Sequence, residues 1–417
     1  MHQGKFVFTQ LCEFLPKRAF DCLVEKYEGN KYVKSFTCWN HLRVLIFGQL
    51  TNRESLRDLV TTLNAHKEKF HHLGFGKSVT RSNLSKANEV RSVEIFEQYA
   101  HKVIEIARQK KAEVSDFFIE NDLYAFDSST ISFCLKPFWW ACPFNEEKGG
   151  MKLHTLYDVK RQIPVMNLLT DHSVSDCTMM EHIPYVPNSF YVFDKAYVST
   201  PQLYNINTSG AFFVVRKKRN MAYKVVEERC CNNKETGVMA DQIVEFTSRV
   251  AKKGYPKAIR CITYYSQEQN ATYVFLTNNM DLKPEDIALI YKYRWSIEIF
   301  FKWIKQHLRI KEFYGTSENA VKIQIYSAII AYCVVAIAEN ELQLEVSTYD
   351  VLRILSVGLL DKKPFSELFM GTKDTGCQID TQLNLNFFLV DTCGSRTALT
   401  NDATFISVGM VNTGVDC

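Results

Sequence analysis

The segment that most constrains the fold spans residues 291–305, which read Tyr-Lys-Tyr-Arg-Trp-Ser-Ile-Glu-Ile-Phe-Phe-Lys-Trp-Ile-Lys. Pro284 and the two acidic residues after it are typical of a helix start, and Gly315 is typical of a helix stop. The pattern therefore predicts a single helix of about 28 residues, roughly 42 Å long. Apolar and aromatic side chains cover most of its circumference, and a helix of that kind is buried. The chain must build a large core around it.

Four polar side chains interrupt the apolar surface of this helix. At about 100° per residue they fall within an arc of about 60°. They are Tyr291, Arg294, Glu298 and Lys305. Burying unpaired charge is costly, so this stripe must face a partner or a polar site. A structural Arg–Glu pair four residues apart is an alternative explanation, but it leaves Tyr291 and Lys305 unexplained.

The periodicity of the chain changes near residue 115. The earlier part has helical spacing, whereas the part that follows contains alternating and apolar runs that predict strands, and helical spacing returns before Glu298. This order predicts an α/β fold in which a mixed sheet is flanked by helices. The predicted parts are a helical domain (1–115), the first part of an α/β core (116–216), a β-rich insertion (217–282), the core helices (283–365) and a tail without predicted structure (366–417).

The amino-terminal part is basic although the whole chain is nearly neutral. Net charge is +4, but residues 1–115 hold 19 Lys and Arg against 12 Asp and Glu. This asymmetry fits a nucleic-acid partner. Thr80 is a good helix cap for the segment containing Arg81 and Lys86, which could enter a DNA groove. A solvated surface helix explains the same residues equally well.

Composition argues against several other protein classes. Hydrophobic residues make up 46% and charged residues 23%, which are ordinary globular values. The 13 cysteines include no Cys-x-x-Cys pair, so we expect reduced thiols rather than a zinc site. The longest apolar stretch, residues 325–338, is shorter than the roughly 20 residues of a membrane span. We therefore expect a buried helix there, and no signal peptide at the start of the chain.

Two aspartates follow apolar runs that predict strands. Asp127 ends Leu-Tyr-Ala-Phe-Asp, and Asp194 ends Phe-Tyr-Val-Phe-Asp. A carboxylate at the point where a buried strand meets a loop faces the crevice in which α/β sheets place ligands. Each aspartate taken alone is explained as well by a turn or a helix cap.

Together these residues resemble a known enzyme family. The spacing Tyr291, Arg294, Glu298, Lys305 matches the Tyr-x2-Arg-x3-Glu-x6-Lys signature of the DDE transposases of bacterial insertion sequences, in the insertion sequence four branch. Asp127 matches the first aspartate of that family, and Asp194 in Asp-Lys-Ala-Tyr matches the second. The resemblance covers roughly residues 1–360, and the last 45 or so residues fit poorly.

The resemblance implies a ribonuclease-H-like core and a DNA-cutting site. Cleavage of a phosphodiester requires charge neutralisation on two oxygens, which a pair of metal ions provides. Asp127, Asp194 and Glu298 would hold two Mg²⁺ ions, with Mn²⁺ as a substitute. Tyr291, Arg294 and Lys305 would hold phosphates, and Lys195 would add a further contact. Water would nick one strand, and the freed 3′-hydroxyl would form a hairpin; after reopening, that hydroxyl would attack target DNA.

Three functions remain open at this point. The first is an active cut-and-paste transposase that acts in the bacterial cytoplasm, associated with the nucleoid and not with a membrane. Its partners would be double-stranded DNA, as terminal inverted repeats and as target, and a second copy of the chain on that DNA. The second is a DNA-binding protein whose catalysis has decayed. The third is a host nuclease with the same core that never joins strands.

Overall fold

The computed structural model describes residues 4–76, 78–113, 118–133, 138, 140, 149–229, 236–307, 313–344 and 348–369. These residues all belong to one compact unit. The predicted tail, 366–417, lies outside the described residues from position 370 onward. The boundaries of the predicted domains stay predictions.

The amino-terminal part is helical, as predicted. Thr37 begins one helix with a capping box that it shares with Asn40, and the Thr80 hydroxyl accepts a hydrogen bond from the Asn83 amide. These side chains satisfy backbone amides that a helix start leaves free. The helices are α1 (Val7–Glu13), α2 (Lys17–Lys26), α3 (Cys38–Leu50), α4 (Leu56–Asn64), α5 (Phe70–Leu73), α6 (Arg81–Val90) and α7 (Val93–Lys110).

Five strands form the part of the sheet that carries the two aspartates. Their spatial order is β3-β2-β1-β4-β5. β2 is antiparallel to both of its neighbours, whereas β1, β4 and β5 run parallel to one another. This is the mixed order of a ribonuclease-H-like sheet, so the predicted fold class is confirmed. The strands are β1 (Leu123–Phe133), β2 (Gly149–Asp158), β3 (Ile163–Asp171), β4 (Phe190–Phe193) and β5 (Phe212–Arg216), and α8 (Thr200–Thr208) connects the last two.

The predicted insertion is β-rich and continues the same sheet. β9 pairs antiparallel with β5, and β8, β7 and β6 follow outward, so that the described part of the chain contributes nine strands to this sheet. The sequence predicted the strands but not this continuity. The elements are β6 (Tyr223–Arg229), β7 (Val238–Phe246), α9 (Arg249–Gly254), β8 (Ile259–Ser266) and β9 (Ala271–Thr277).

The long helix predicted from Pro284 is two helices, so that prediction is wrong. α10 (Pro284–Tyr293) and α11 (Trp295–His307) are separated at Arg294. The amide of Arg294 bonds to the carbonyl of Tyr291, and the amide of Ile297 bonds to that of Arg294. These three-residue spacings tighten the backbone into a 3-10 turn, a feature that often marks functional positions within helices. Ile299 on α11 is 44% exposed, so the apolar side chains of this helix are not buried on every side.

The most apolar helix lies at the centre of the core. α12 (Glu318–Glu341) is long and apolar enough to cross a membrane. Its most apolar stretch of 18 residues, however, is 94% buried inside the protein. It packs against α7 and α3 of the amino-terminal part and against α13 (Thr348–Gly358). The amino-terminal and carboxyl-terminal helices therefore share one hydrophobic core.

Candidate active site

The sheet register brings the two aspartates to neighbouring positions. Ala125 on β1 pairs with Val192 on β4, and each aspartate lies two residues beyond its member of that pair. Asp194 directly follows β4, as predicted, whereas Asp127 lies inside β1, which continues to Phe133. The ladder between β1 and β4 ends at Ala125 and Val192, before either aspartate. Both aspartates therefore lie just beyond the end of the same ladder.

The guanidinium of Arg294 connects Asp127 to Glu298. Its Nη1 donates to Oδ2 of Asp127 at 3.1 Å, and its Nη2 donates to Oε1 of Glu298 at 2.7 Å. The Arg294 side chain is only 11% exposed. The Arg–Glu pair four residues apart does form, but the same guanidinium also reaches an aspartate 167 positions earlier in the chain. The structural explanation of that pair is thus incomplete.

Tyr291 connects the third acid, Asp194, to Arg294. Its hydroxyl donates to Oδ1 of Asp194 at 3.1 Å, while its ring lies 4.7 Å from that of Phe275 on β9. The Arg294 guanidinium lies 5.7 Å from the centre of the same tyrosine ring. The two hydrogen-bonding residues of the break between α10 and α11 thus join Asp127, Asp194 and Glu298 into one cluster.

Burial and mutual repulsion make this cluster unfavourable for negative charge. Burial raises the pKa of Asp127, Arg294 opposes that rise, and the charge of Asp194 adds to it. Burial likewise raises the pKa of Glu298, with Arg294 again opposing it. Burial acts against the charge of Arg294, but Tyr291 and the acids outweigh it and raise the Arg294 pKa. Asp127 and Glu298 therefore depend on nearby positive charge to stay ionised.

Ser128 and Tyr197, whose roles the sequence did not predict, hold Asp127 in place. The amide of Ser128 donates to Oδ1 of Asp127 at 2.8 Å, and the hydroxyl of buried Tyr197 donates to the same oxygen at 3.3 Å. The Ser128 hydroxyl in turn donates to Asp176 at 2.9 Å. Tyr197 belongs to the Asp-Lys-Ala-Tyr segment that carries Asp194, and this shared segment was the available signal.

The predicted lysines and arginines outside the cluster are solvent-accessible. Burial lowers the pKa of Lys305, and the charge of Asp127 opposes that change. Lys305 and Lys195 are exposed, and Arg81 and Lys86 are exposed on α6. The geometry brings Tyr291 and Arg294 to the acids, and it places Arg81 and Lys86 on the surface of the amino-terminal helices. Their predicted contacts with DNA stay predictions.

Three carboxylates supply the hard oxygen ligands that Mg²⁺ or Mn²⁺ requires. Within the described residues, however, no three acidic, histidine or cysteine side chains are arranged so that they could hold a metal ion together. The guanidinium of Arg294 occupies one oxygen each of Asp127 and Glu298. The chemistry of the donors therefore fits divalent cations, and in the present contacts a guanidinium satisfies Asp127 and Glu298 instead.

His154 was expected to be a satisfied core or site-lining histidine rather than a metal ligand. It is fully buried on β2 opposite Ser128, and its Nε2 pairs with the Thr170 hydroxyl at 2.8 Å. Its Nδ1 lies 3.8 Å from Oδ1 of Asp176. Burial lowers the pKa of His154 to about 4. The ring is therefore neutral in the folded protein at neutral pH.

This lowered pKa predicts a pH-dependent stability. An unfolded chain would protonate His154 near pH 6.5, and the folded protein would do so only near pH 4, so the stability contributed by the neutral ring is lost as pH falls between these values. We expect His154→Gln to remove about 2 kcal/mol of the decline in unfolding free energy between pH 7 and pH 5. Urea denaturation of both proteins at the two pH values measures this decline. An equal decline in both proteins would contradict the expectation.

The chain is similar to several known proteins and to two protein-family models. Residues 120–334 match a family model described as a transposase DDE domain, and residues 3–76 match one described as a domain of unknown function, DUF4372. A protein named as transposase y4zB of Sinorhizobium fredii is 34% identical over 61% of this chain and 70% of its own length. A protein named as the transposase for insertion sequence element IS5377 of Geobacillus stearothermophilus is 28% identical over 49% of this chain and 54% of its own.

Two further matches extend over more of the chain. A protein named as the transposase for insertion sequence element IS4SA of Synechocystis is 25% identical over 69% of this chain and 80% of its own length. Among solved structures, a chain of the piggyBac transposase synaptic complex with hairpin DNA, determined by cryo-electron microscopy, aligns with a TM-score of 0.44 and 11% identity over 94% of this chain and 86% of that one. A score this low does not define a shared fold.

Proposed function

Since this chain belongs to the DDE transposase family of insertion sequences, we propose that it cuts DNA at the ends of its own element and joins those ends to target DNA. The protein is an enzyme that acts on DNA, and its family uses divalent metal ions. The observation that supports the cut-and-paste proposal is the convergence of Asp127, Asp194 and Glu298 on Arg294 and Tyr291.

We assign the three carboxylates to the binding of two Mg²⁺ ions, which Mn²⁺ can replace. When bound, such ions neutralise charge on the attacking and leaving oxygens of an in-line displacement. Asp127 lies within β1, Asp194 directly follows the neighbouring strand β4, and Glu298 lies on α11, which contacts β1. Acids on rigid elements are held more accurately than acids on loops, and accurate placement is what this chemistry needs.

Tyr291, Arg294 and Lys305 are assigned to the phosphate beside the scissile bond. Arg294 offers a planar fork of donors that suits a phosphate, and Lys305 offers a point charge at the exposed end of the cluster. Lys195 stands next to Asp194 and adds a cation at the carboxyl end of β4. Tyr197 and Ser128 are positioning residues, since they act on Asp127 and not on DNA.

DNA recognition beyond the cluster is assigned to the amino-terminal helices. Arg81 and Lys86 lie exposed on α6, whose Thr80 cap fixes its start. We further propose that two copies of the chain act together, because joining an element requires both of its ends at once. The duplex would then contact the catalytic cluster and the amino-terminal helices.

Incubation of purified protein with the DNA that flanks its gene and with Mg²⁺ tests the function. We expect nicks at inverted repeats on both sides of the gene, followed by joining of the freed 3′ ends to plasmid DNA. Binding without nicks would indicate a decayed enzyme. Nicks that never lead to joined products would indicate a nuclease. Either of these results would overturn the proposal.

A further inference from the structure

A positive charge already occupies the place where the acids meet. Arg294 bonds to Asp127 and to Glu298, and it does so with one nitrogen for each. Those carboxylate oxygens are among the ones that a divalent cation would need. The Arg294 side chain is only 11% exposed, so bulk water screens these two contacts only weakly. A metal ion must therefore compete with Arg294 for the acids.

The guanidinium is incompletely satisfied where it lies. Its Nε is buried and has no hydrogen-bond partner among the residues that the structure describes. A buried donor without an acceptor is destabilising, and more so when it is charged. A phosphate accepts from two guanidinium nitrogens at once and could satisfy this fork better than two single contacts to separate carboxylates. Bound DNA would therefore favour a position of Arg294 on a phosphate over its present position on Asp127 and Glu298.

We propose that Arg294 makes metal binding depend on DNA. Without DNA it neutralises Asp127 and Glu298 and holds their oxygens; with DNA it turns to a phosphate and frees those oxygens for metal ions. The proposal rests on the proposed function of the same site. It implies that DNA strengthens metal binding and, by reciprocity, that metal ions strengthen DNA binding by the same factor. The benefit is that metal ions are held strongly only when substrate is present.

The affinity of the protein for Mn²⁺, measured by electron paramagnetic resonance, tests this coupling. The DNA is an end of the element that has already been cut, so the measurement requires no cleavage. For the unaltered protein we expect DNA to strengthen Mn²⁺ binding about tenfold. For Arg294→Gln we expect stronger Mn²⁺ binding than in the unaltered protein when DNA is absent, and little further gain when DNA is added.

The response of Mn²⁺ affinity to DNA distinguishes the proposed movement of Arg294 from the simple loss of its positive charge. Loss of a positive charge alone would strengthen Mn²⁺ binding equally with and without DNA, and that result would overturn the proposal. So would an Mn²⁺ affinity of the unaltered protein that does not respond to DNA. Arg294→Lys keeps the charge but lacks the fork, and we expect it to retain part of the response to DNA.

Two controls guard against misfolding and against confusion with the function itself. Arg108→Gln removes a partly exposed arginine that lies 3.5 Å from Asp158, away from the cluster, and should leave the response to DNA unchanged. Melting temperatures show whether each variant folds. If the unaltered protein cleaves DNA and its Mn²⁺ affinity does not change when DNA is added, only the proposal that Arg294 couples metal binding to DNA fails. If it never cleaves, the proposed function fails separately.

Discussion

The Glu298→Gln protein should cleave terminal repeats at least about a thousandfold more slowly than the unaltered protein in Mg²⁺, yet bind the same DNA equally well. Glutamine has nearly the same shape, but its side chain carries no negative charge and offers one oxygen instead of two. Losing one carboxylate of a two-metal site removes about 4 kcal/mol or more of transition-state stabilisation, which corresponds to that factor. Single-turnover cleavage and gel-shift titration measure the two quantities.

A matched control for this variant exists on α12. Glu318 also pairs with a cation four residues later, Lys322, but its side chain is 52% exposed and lies at a helix start. Glu318→Gln should cleave within about twofold of the unaltered protein, because a surface ion pair contributes little. Cleavage by Glu298→Gln that stays within tenfold of normal would rule out Glu298 as a metal ligand.

The largest loss of stability is expected from the insertion, where a charged pair is completely buried. Arg260 and Asp241 are 2% and 3% exposed and share two hydrogen bonds of 2.8 Å. Arg260 also donates to the carbonyls of Asn279 and Leu282, just before α10 begins. Arg260→Met would leave Asp241 buried without a counter-charge. We expect the free energy of unfolding to fall by about 3–5 kcal/mol, measured by urea denaturation.

Two further variants identify the cause of that loss. Arg260→Met combined with Asp241→Leu removes both charges, and it should recover much of the stability because no unpaired charge remains. Lys224→Met breaks an exposed pair with Glu245 in the same insertion and should cost less than about 1 kcal/mol. A double variant as unstable as Arg260→Met would contradict this explanation. The carbonyl contacts would then be the main contribution of Arg260.

Much of the fold could be predicted because the relevant signals are local. The strands of the sheet have apolar or alternating patterns, and Thr80 and Pro284 begin helices where their chemistry predicts. The polar stripe from Tyr291 to Lys305 is also a local signal, because its spacing is visible within one segment of the sequence. The stripe indicated a shared site before any long-range contact was known. Arg294 and Tyr291 do contact the acids that this pattern pointed to.

The remaining features depend on contacts between distant segments. The break at Arg294 could not be predicted from helix propensity. Arg294 at the break and Tyr291 before it make hydrogen bonds to Asp127 and Asp194, which lie far away in the sequence. The role of Tyr197 depends on which strand lies beside β4. The common core of α3, α7 and α12 joins residues more than 200 positions apart, and no pattern within residues 1–115 reveals it.

The central claim is that Asp127, Asp194 and Glu298 hold the same pair of metal ions against DNA. Anomalous scattering from Mn²⁺ in a crystal of the DNA-bound protein tests it most directly. We predict two Mn²⁺ ions about 3.5–4 Å apart, each with carboxylate oxygens from this trio at about 2.0–2.2 Å. Mn²⁺ bound elsewhere, or held by a set of ligands that omits any of the three acids, would contradict the claim.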